Sequence, residues 1–281
     1  MTTDVLVDGT HFRRDWSSGY DVGRKAAAQS FADVVAMGAR PTAIVVGLAA
    51  PGDLPLDWAD ALVDGLQDEC GAVSAGLAGG DVVRSDVITI AVTALGDLGG
   101  RPPVTRAGAQ PGQVVVVAGR LGFAAAGLDL LLAGRSEPAV LLAAHRRPTV
   151  PYQAGLSLAA LDTSAMIDVS DGLTADLGHV AAASGVRIEL VSGTLPLAPE
   201  LVEAAAELGV DVLSWVAGGG EDHAFAATMT DDAADQAEAA LAESEVPFAR
   251  IGRVVDGEPG VFFVDRQPPG AKGHDHFPSR P

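Results

Sequence analysis

The chain has 281 residues, 48% of them hydrophobic, a single cysteine and a formal net charge of −19. One thiol, Cys70, excludes an internal disulfide and a thiolate-bound structural zinc, and the acidic excess disfavours a nucleic-acid surface, which needs clustered Lys and Arg to displace counterions. The apolar stretches Val114 to Ala118 and Leu128 to Ala133 fall far short of the roughly 20 residues of a membrane span, and MTTDVLVDG lacks the basic and apolar regions of a signal peptide, so the expectation is a cytoplasmic protein of two domains that binds neither membrane nor nucleic acid.

In chain order, TDVLVDGTHF alternates and predicts a strand within residues 1–12 that ends in a Gly-containing bend. Asp21 is expected to cap a helix running to about Met37, with Val22, Ala26, Phe31, Val34 and Val35 at helical spacing and Gly38 as the stop. Thr42 to Ala49 reads as a buried strand, Asp57 opens an amphipathic helix through about Val73, Gly76 to Asp81 (GLAGGD) reads as a loop, and Val87 to Leu95 is a strand. This β-α-β-α-β unit of about one hundred residues exits through RPPVTRAGAQPG, which places a first domain at 1–107.

A second α/β domain, 108–281, restarts with the core strand VVVVAG and a helix around Leu121 to Ala133. Helices at about 138–146 and 153–161, a short strand Ala165 to Val169 and the turn Ser170-Asp171-Gly172 follow, the turn leading into a helix that ends near Ser184. Strand Val186 to Val191, helices near 199–208, the loop Gly218 to Asp222 (GGGED), strand Ala224 to Met229, a helix capped by Asp231 or Asp232, and strands near 248–254 and 260–264 complete it. The fold class is therefore α/β (α+β) with two domains.

Five aspartates, Asp4, Asp33, Asp81, Asp168 and Asp171, sit where apolar runs meet turns or helix starts, in TTD, FAD, GGD and DVSD. A carboxylate there is costly to desolvate without a cation or donor, so the set points to a shared metal and phosphate site. In GGD the two glycines let backbone N–H groups approach an anion while Asp81 takes a cation. Ser170-Asp171-Gly172 can present a hydroxyl, a carboxylate and helix N-terminal N–H groups together, or can simply cap the helix. Arg106 in RAGAQPG suits anionic oxygens, and His11 and GGGED are placed to touch substrate. A P-loop is absent, and GGGED lacks the nucleophile of a GxSxG elbow.

Taken in order, TTDVLVDGTHF, FADVVAMGARP, GLAGGD, RAGAQPG, MIDVSDGL and GGGED resemble the thiamine-monophosphate kinases, a family within the aminoimidazole-ribonucleotide synthetase superfamily. The resemblance implies a two-domain protein, a homodimer formed through the N-terminal domain, that moves the γ-phosphoryl group of ATP to thiamine monophosphate to give thiamine diphosphate. It implies several Mg²⁺ ions on Thr2, Thr3, Asp4, Asp33, Asp81, Asp168 and Asp171, ATP contacts from Gly80, Asp81, Arg106 and Ser170, and substrate contacts from His11, Glu221 and His274. His274 stands where the family usually has an aromatic residue, Ala32 replaces a common serine and His223 a common tyrosine. The family also carries a Gly-Asp-Asp-Ala-Ala segment ahead of the TTD strand, so the expectation is a domain without its first strand and without one metal ligand.

Two phosphorylated reactants repel each other, and several Mg²⁺ ions on spread carboxylates answer that problem, since each takes only one or two protein carboxylates. The competing readings are another ATP-using enzyme of the superfamily (a formylglycinamidine-ribonucleotide-type ligase, a selenophosphate synthetase or a hydrogenase maturation factor), a non-catalytic nucleotide or thiamine-phosphate binding protein, and a metal-stabilised structural protein.

Overall fold

The computed structural model describes residues 1–267. Strand β1 (Thr2–Val7), helix α1 (Gly19–Ala36), β2 (Arg40–Ala50), α2 (Leu56–Ala72), β3 (Gly76–Arg84) and β4 (Thr89–Asp97) form the first lobe, a four-stranded sheet in the order β1-β4-β2-β3 with both helices packed on it. The second lobe contains β5 (Val114–Ala118), α3 (Phe123–Leu132), α4 (Ala139–Arg146), α5 (Tyr152–Ala160), β6 (Thr163–Asp168), α6 (Leu173–Ser184), β7 (Arg187–Leu190), α7 (Pro199–Leu208), α8 (Val212–Gly218), β8 (Phe225–Met229), α9 (Asp231–Leu241), β9 (Phe248–Val255) and β10 (Gly260–Phe263). Its six strands run in the order β10-β7-β9-β5-β8-β6. Every residue of β5 and β8 is buried, because core clusters cover both faces of that sheet; this is why VVVVA and FAATM are continuous apolar runs without alternation.

Helix α1 begins three residues earlier than a cap at Asp21 implies. Ser18 is the cap: its Oγ accepts from the Asp21 N–H at 3.2 Å while the Asp21 carboxylate accepts from the Ser18 N–H at 3.1 Å, a reciprocal box in which Asp21 is the third helical position. The same displacement occurs at α9, where Thr230, not Asp231 or Asp232, caps the helix, and at α2, where Asp57 lies in the first turn after Pro55. In each case an acid favoured by the helix dipole lies just inside the helix.

GLAGGD is not a loop. Those residues form most of β3, which pairs in parallel with β2 and shifts register between Ile44 and Val45, beside Gly79 at φ +145°. Glycine carries no side-chain period from which a strand could be predicted, and the ladder of backbone hydrogen bonds decides the conformation instead. Helix α8 was also absent from the expected elements.

Helix α1 is buried nearly all round. Val22, Ala26, Ala27, Phe31 and Val34 pack in the core of the first lobe, whereas Ala28, Ala32, Val35 and Ala36 pack against β5, β6 and β8 of the second. Small residues also bring α1 close to α2: a Cβ at Gly23 would stand 2.1 Å from the Leu62 carbonyl oxygen, and one at Gly65 would stand 2.2 Å from that of Tyr20. Gly23→Ala is therefore expected to force the helices apart and to lower unfolding stability by about 1–3 kcal/mol, measurable as a fall in the urea midpoint at unchanged slope; an unchanged midpoint would refute the close contact.

Candidate functional site

The two lobes enclose a cavity of about 800 Å³ whose walls include Thr3, Asp4, His11, Asp33, Asp168, Ser170, Asp171 and Glu221. Alternation along β1 turns Thr2 and Asp4 towards α1, and helical spacing puts Ser30 and Asp33 of α1 opposite them. Thr2 Oγ1 donates to Asp33 Oδ2 at 2.6 Å, and Ser30 Oγ donates to Asp4 Oδ2 at 2.9 Å. Asp168, at the end of β6, is buried and lies 3.1 Å from Nδ1 of the buried His223.

These acids feel one another. Burial, reinforced by the charge of Asp168, raises Asp33 to about 6; burial also raises Asp4, with Asp168 again adding to the effect. Burial opposes protonation of His223, but its bond to Asp168 and the charges of Asp168, Glu221 and Asp33 outweigh that and raise its pKa. The three carboxylates, from β1, α1 and β6, thus share a site where negative charge is in excess. Among the described residues no group of three His, Cys, Asp or Glu side chains forms a ready metal cage. That donor set fits Mg²⁺, which keeps its waters, takes one or two carboxylates and completes its shell with phosphate oxygens.

The turn after β6 is held differently from the expectation. Neither Ser170 nor Asp171 caps α6; Gly172 is the cap, at φ +115°, where a Cβ would meet the Gly218 carbonyl at 2.7 Å. The N–H groups of Ser170, Asp171 and Gly172 do not face an anion, because Asp176 Oδ2 accepts all three at 3.0, 3.0 and 3.1 Å. Burial lifts Asp176 to about 7 against those bonds. The inward-turned carboxylate fixes the turn, and Ser170 and Asp171 remain in the cavity wall.

The segment Gly218 to His223 sends three consecutive polar side chains to three places. Glu221, in the left-handed region at φ 67°, pairs with Lys25 Nζ of α1 at 2.9 Å. Asp222 accepts from the N–H groups of Gly122 and Ala124 and closes the start of α3. His223, at φ 53°, returns to Asp168. Two non-glycine residues of this loop in that region, Glu221 and His223 on either side of Asp222, represent stored strain at a cavity wall. Lys25, Asp176, His145 and the anchoring of Asp222 were not found from sequence; the available signal was a lone lysine inside the apolar face of α1.

Other expected residues lie elsewhere. Thr3 is on the outer face of β1, beside Thr93 at 2.8 Å, although it still reaches the cavity rim. Gly80 and Asp81 are on β3 at the far edge of the first sheet, with Asp81 exposed in the row Val5, Ala91 and Gly47 and its carboxylate accepting from the Val82 N–H. Arg106 is exposed in the connection between the lobes, where its carbonyl accepts from Ser184 Oγ at 3.1 Å. A single chain therefore gathers Asp4, Asp33, Asp168, Ser170, Asp171, His11 and Glu221 but not Gly80, Asp81 or Arg106. His274 lies outside the described residues.

Residues 1–98 match the AIR synthase related protein N-terminal domain, and residues 110–265 match the AIR synthase related protein C-terminal domain. A thiamine-monophosphate kinase of Mycobacterium tuberculosis is 46% identical over 99% of this chain and 80% of its own length. The chain belongs to the thiamine-monophosphate kinase family. That of Escherichia coli K12 is 34% identical over 99% of this chain and 86% of its own. Among solved structures, AaThiL complexed with AMPPCP and TMP matches with a TM-score of 0.88 at 34% identity over 98% of this chain and 86% of that one. Hydrogenase maturation protein HypE shares the fold at 20% identity, with a TM-score of 0.78 over 93% of this chain and 84% of that one. The α/β two-lobe architecture is thus that of the family.

Because Asp33 is raised to about 6 in the folded chain, its proton is held more tightly there than in the unfolded state. Its contribution to stability is present below about pH 4 and is lost as the pH rises through 6. In metal-free buffer Asp33→Asn, neutral throughout, should gain on the natural chain by roughly 1–3 kcal/mol between pH 5 and 7.5, and saturating Mg²⁺ should shrink the gain. Urea unfolding at the two pH values with EDTA measures it; a difference independent of pH would contradict the shared-charge site.

Proposed function

We propose that the protein phosphorylates thiamine monophosphate with ATP, giving thiamine diphosphate and ADP. The observation that carries this reading is the convergence of Asp4, Asp33 and Asp168 from three elements on the cavity between the lobes, in a chain whose relatives are thiamine-monophosphate kinases. In direct in-line transfer an oxygen of the acceptor phosphate bonds to the γ-phosphorus of ATP as the bond to the leaving ADP oxygen breaks. That acceptor is already ionised near neutral pH, so the step needs orientation and charge compensation rather than proton removal.

The residues divide by position. Thr2, Thr3, Asp4, Asp33, Asp81, Asp168 and Asp171 would hold magnesium, whose chemistry when bound is to offset the repulsion between two phosphorylated reactants and to stabilise charge on the transferring group. Gly80, Asp81, Arg106 and Ser170 are assigned to ATP, and His11, Glu221 and His274 to the thiamine phosphate. Thr2 and Ser30 orient Asp33 and Asp4 through the hydrogen bonds given above, His223 orients Asp168, and Asp176 fixes the turn that carries Ser170 and Asp171. The boundary of the two functional halves is placed at 107/108.

A homodimer belongs to the same proposal. The outer face of the first sheet leaves Val5, Val45, Val83 and Leu95 between 39% and 54% exposed, with Asp81 among them. An apolar sheet face of this kind marks an interaction surface, and a second copy covering it would turn Gly80 and Asp81 from solvent-facing residues into parts of an interface. No helix among the described residues is long and apolar enough to cross a membrane; we place the activity in the cytoplasm, with its nucleotide substrate.

Purified protein with ATP, thiamine monophosphate and Mg²⁺ should form thiamine diphosphate and ADP in equal amounts. Asp171→Asn and Asp81→Asn should each reduce turnover by about 100-fold or more with unchanged circular dichroism. Asp81 is the sharper test, since it lies outside the single-chain cavity. Near-normal turnover in both would remove the metal assignment, and binding of both ligands with no diphosphate product would favour a non-catalytic binding protein.

A further inference from the structure

Lys25 is the only lysine among the described residues, and it is 1% exposed on an otherwise apolar stretch of α1. A buried ammonium is costly unless every donor is met, and here three segments meet them. Nζ donates to the carbonyl of His11 at 3.0 Å and to that of His145 at 3.2 Å, and it pairs with Glu221 Oε1 at 2.9 Å. His11, His145 and Glu221 all line the catalytic cavity, one from the first lobe and two from the second.

The charge of Glu221 depends on this contact. Burial works to raise its pKa, but Lys25 acts most strongly the other way, and the carboxyl is held below its ordinary value. The other neighbour, His145 Nδ1 at 3.5 Å from Oε2, is driven down to about 4 by burial and by Lys25 itself, so it is neutral at physiological pH. Lys25 is then the full positive charge in contact with Glu221. Glu221 also sits in a left-handed backbone conformation that its own loop does not favour, and one-third of its side chain remains open to the cavity. Lys25 itself has almost no open surface.

We infer that Lys25 is a positioning residue for the acceptor substrate: without touching substrate, it holds the Glu221 carboxylate and the His11 loop in the geometry that receives thiamine monophosphate. This rests on the assignment of Glu221 to the thiamine phosphate. It makes α1, which also supplies Asp33 two turns further along the same side of the helix, a common reference for the acceptor contact and the carboxylate site.

Steady-state kinetics on Lys25→Met, Glu221→Gln and the double variant of the intact protein test it, with each substrate varied in turn. Lys25→Met should raise KM for thiamine monophosphate about tenfold and leave KM for ATP within about twofold, because it removes an interaction that acts through one binding contact. The double variant should be no worse than Glu221→Gln alone within about twofold, since two residues acting through one contact are not additive. Equal rises in both KM values, or losses that multiply in the double variant, would overturn the proposal by making Lys25 a general structural residue. A Glu221→Gln protein with normal KM for thiamine monophosphate would instead overturn the assignment of Glu221, a separate failure. Should Lys25→Met not fold, Lys25→Gln, which keeps a donor for the carbonyls but no charge, takes its place with the same expectations. Failure of both to fold beside a folded, impaired Glu221→Gln would overturn the proposal, since Lys25 would then hold the fold and not the acceptor.

Discussion

Helix α1 has almost no face in water, and much of the architecture follows from that constraint. One side completes the core of the first lobe and the other seals the edge of the second sheet, so the two lobes are not free bodies joined by a linker. A helix so enclosed must be built from small apolar residues, and Ala26, Ala27, Ala28, Ala32 and Ala36 supply them. Of the polar residues that it carries, Lys25 and Ser30 are buried and Asp33 is half-buried, and all three turn to partners outside the helix. Their placement sets where the cavity lies and which charges line it.

Electrostatics then separates two kinds of acid in a strongly acidic chain. Surface acids such as Asp231 and Asp235 pair with Arg253 and Arg250 in water, where such contacts contribute little. Asp4, Asp33 and Asp168 are close and short of positive charge, and the raised pKa values of Asp4 and Asp33 express that deficit. Asp176 and Asp222 are buried for another reason: each takes backbone N–H groups at a helix start and fixes a turn of the cavity wall. A carboxylate at the end of an apolar run can therefore be a ligand site, a clamp or a surface partner, and only its neighbours distinguish these.

Particular residues show where sequence reading reaches and where it fails. VVVVA and AMID were legible as core strands because burial on both faces leaves no alternative to branched and apolar side chains. GLAGGD was misread because glycines hide strand periodicity, and the caps at Ser18 and Thr230 were misread because an acid inside the first turn and a hydroxyl before it give the same local signal. The five aspartates stood out because acids are costly beside apolar runs, but their order along the chain did not reveal that Asp81 lies across the sheet from the other four. Lys25 was overlooked: a single lysine in a helix is usually a solvated one, and its burial depends on His11, His145 and Glu221, which are remote from one another in sequence.

The sequence by itself determined the element order, the apolar cores, the family and the candidate acids, because each of these is carried by local pattern: period, turn residues and short ordered motifs. Tertiary structure decided which acids meet. It brought Asp4, Asp33 and Asp168 to one cavity, left Asp81 on an exposed sheet face and turned Lys25 inward onto Glu221. Those outcomes depend on how α1 is enclosed between two sheets and on the energetic cost of burying a charge without a partner, and both are properties of the packed chain rather than of any segment of it.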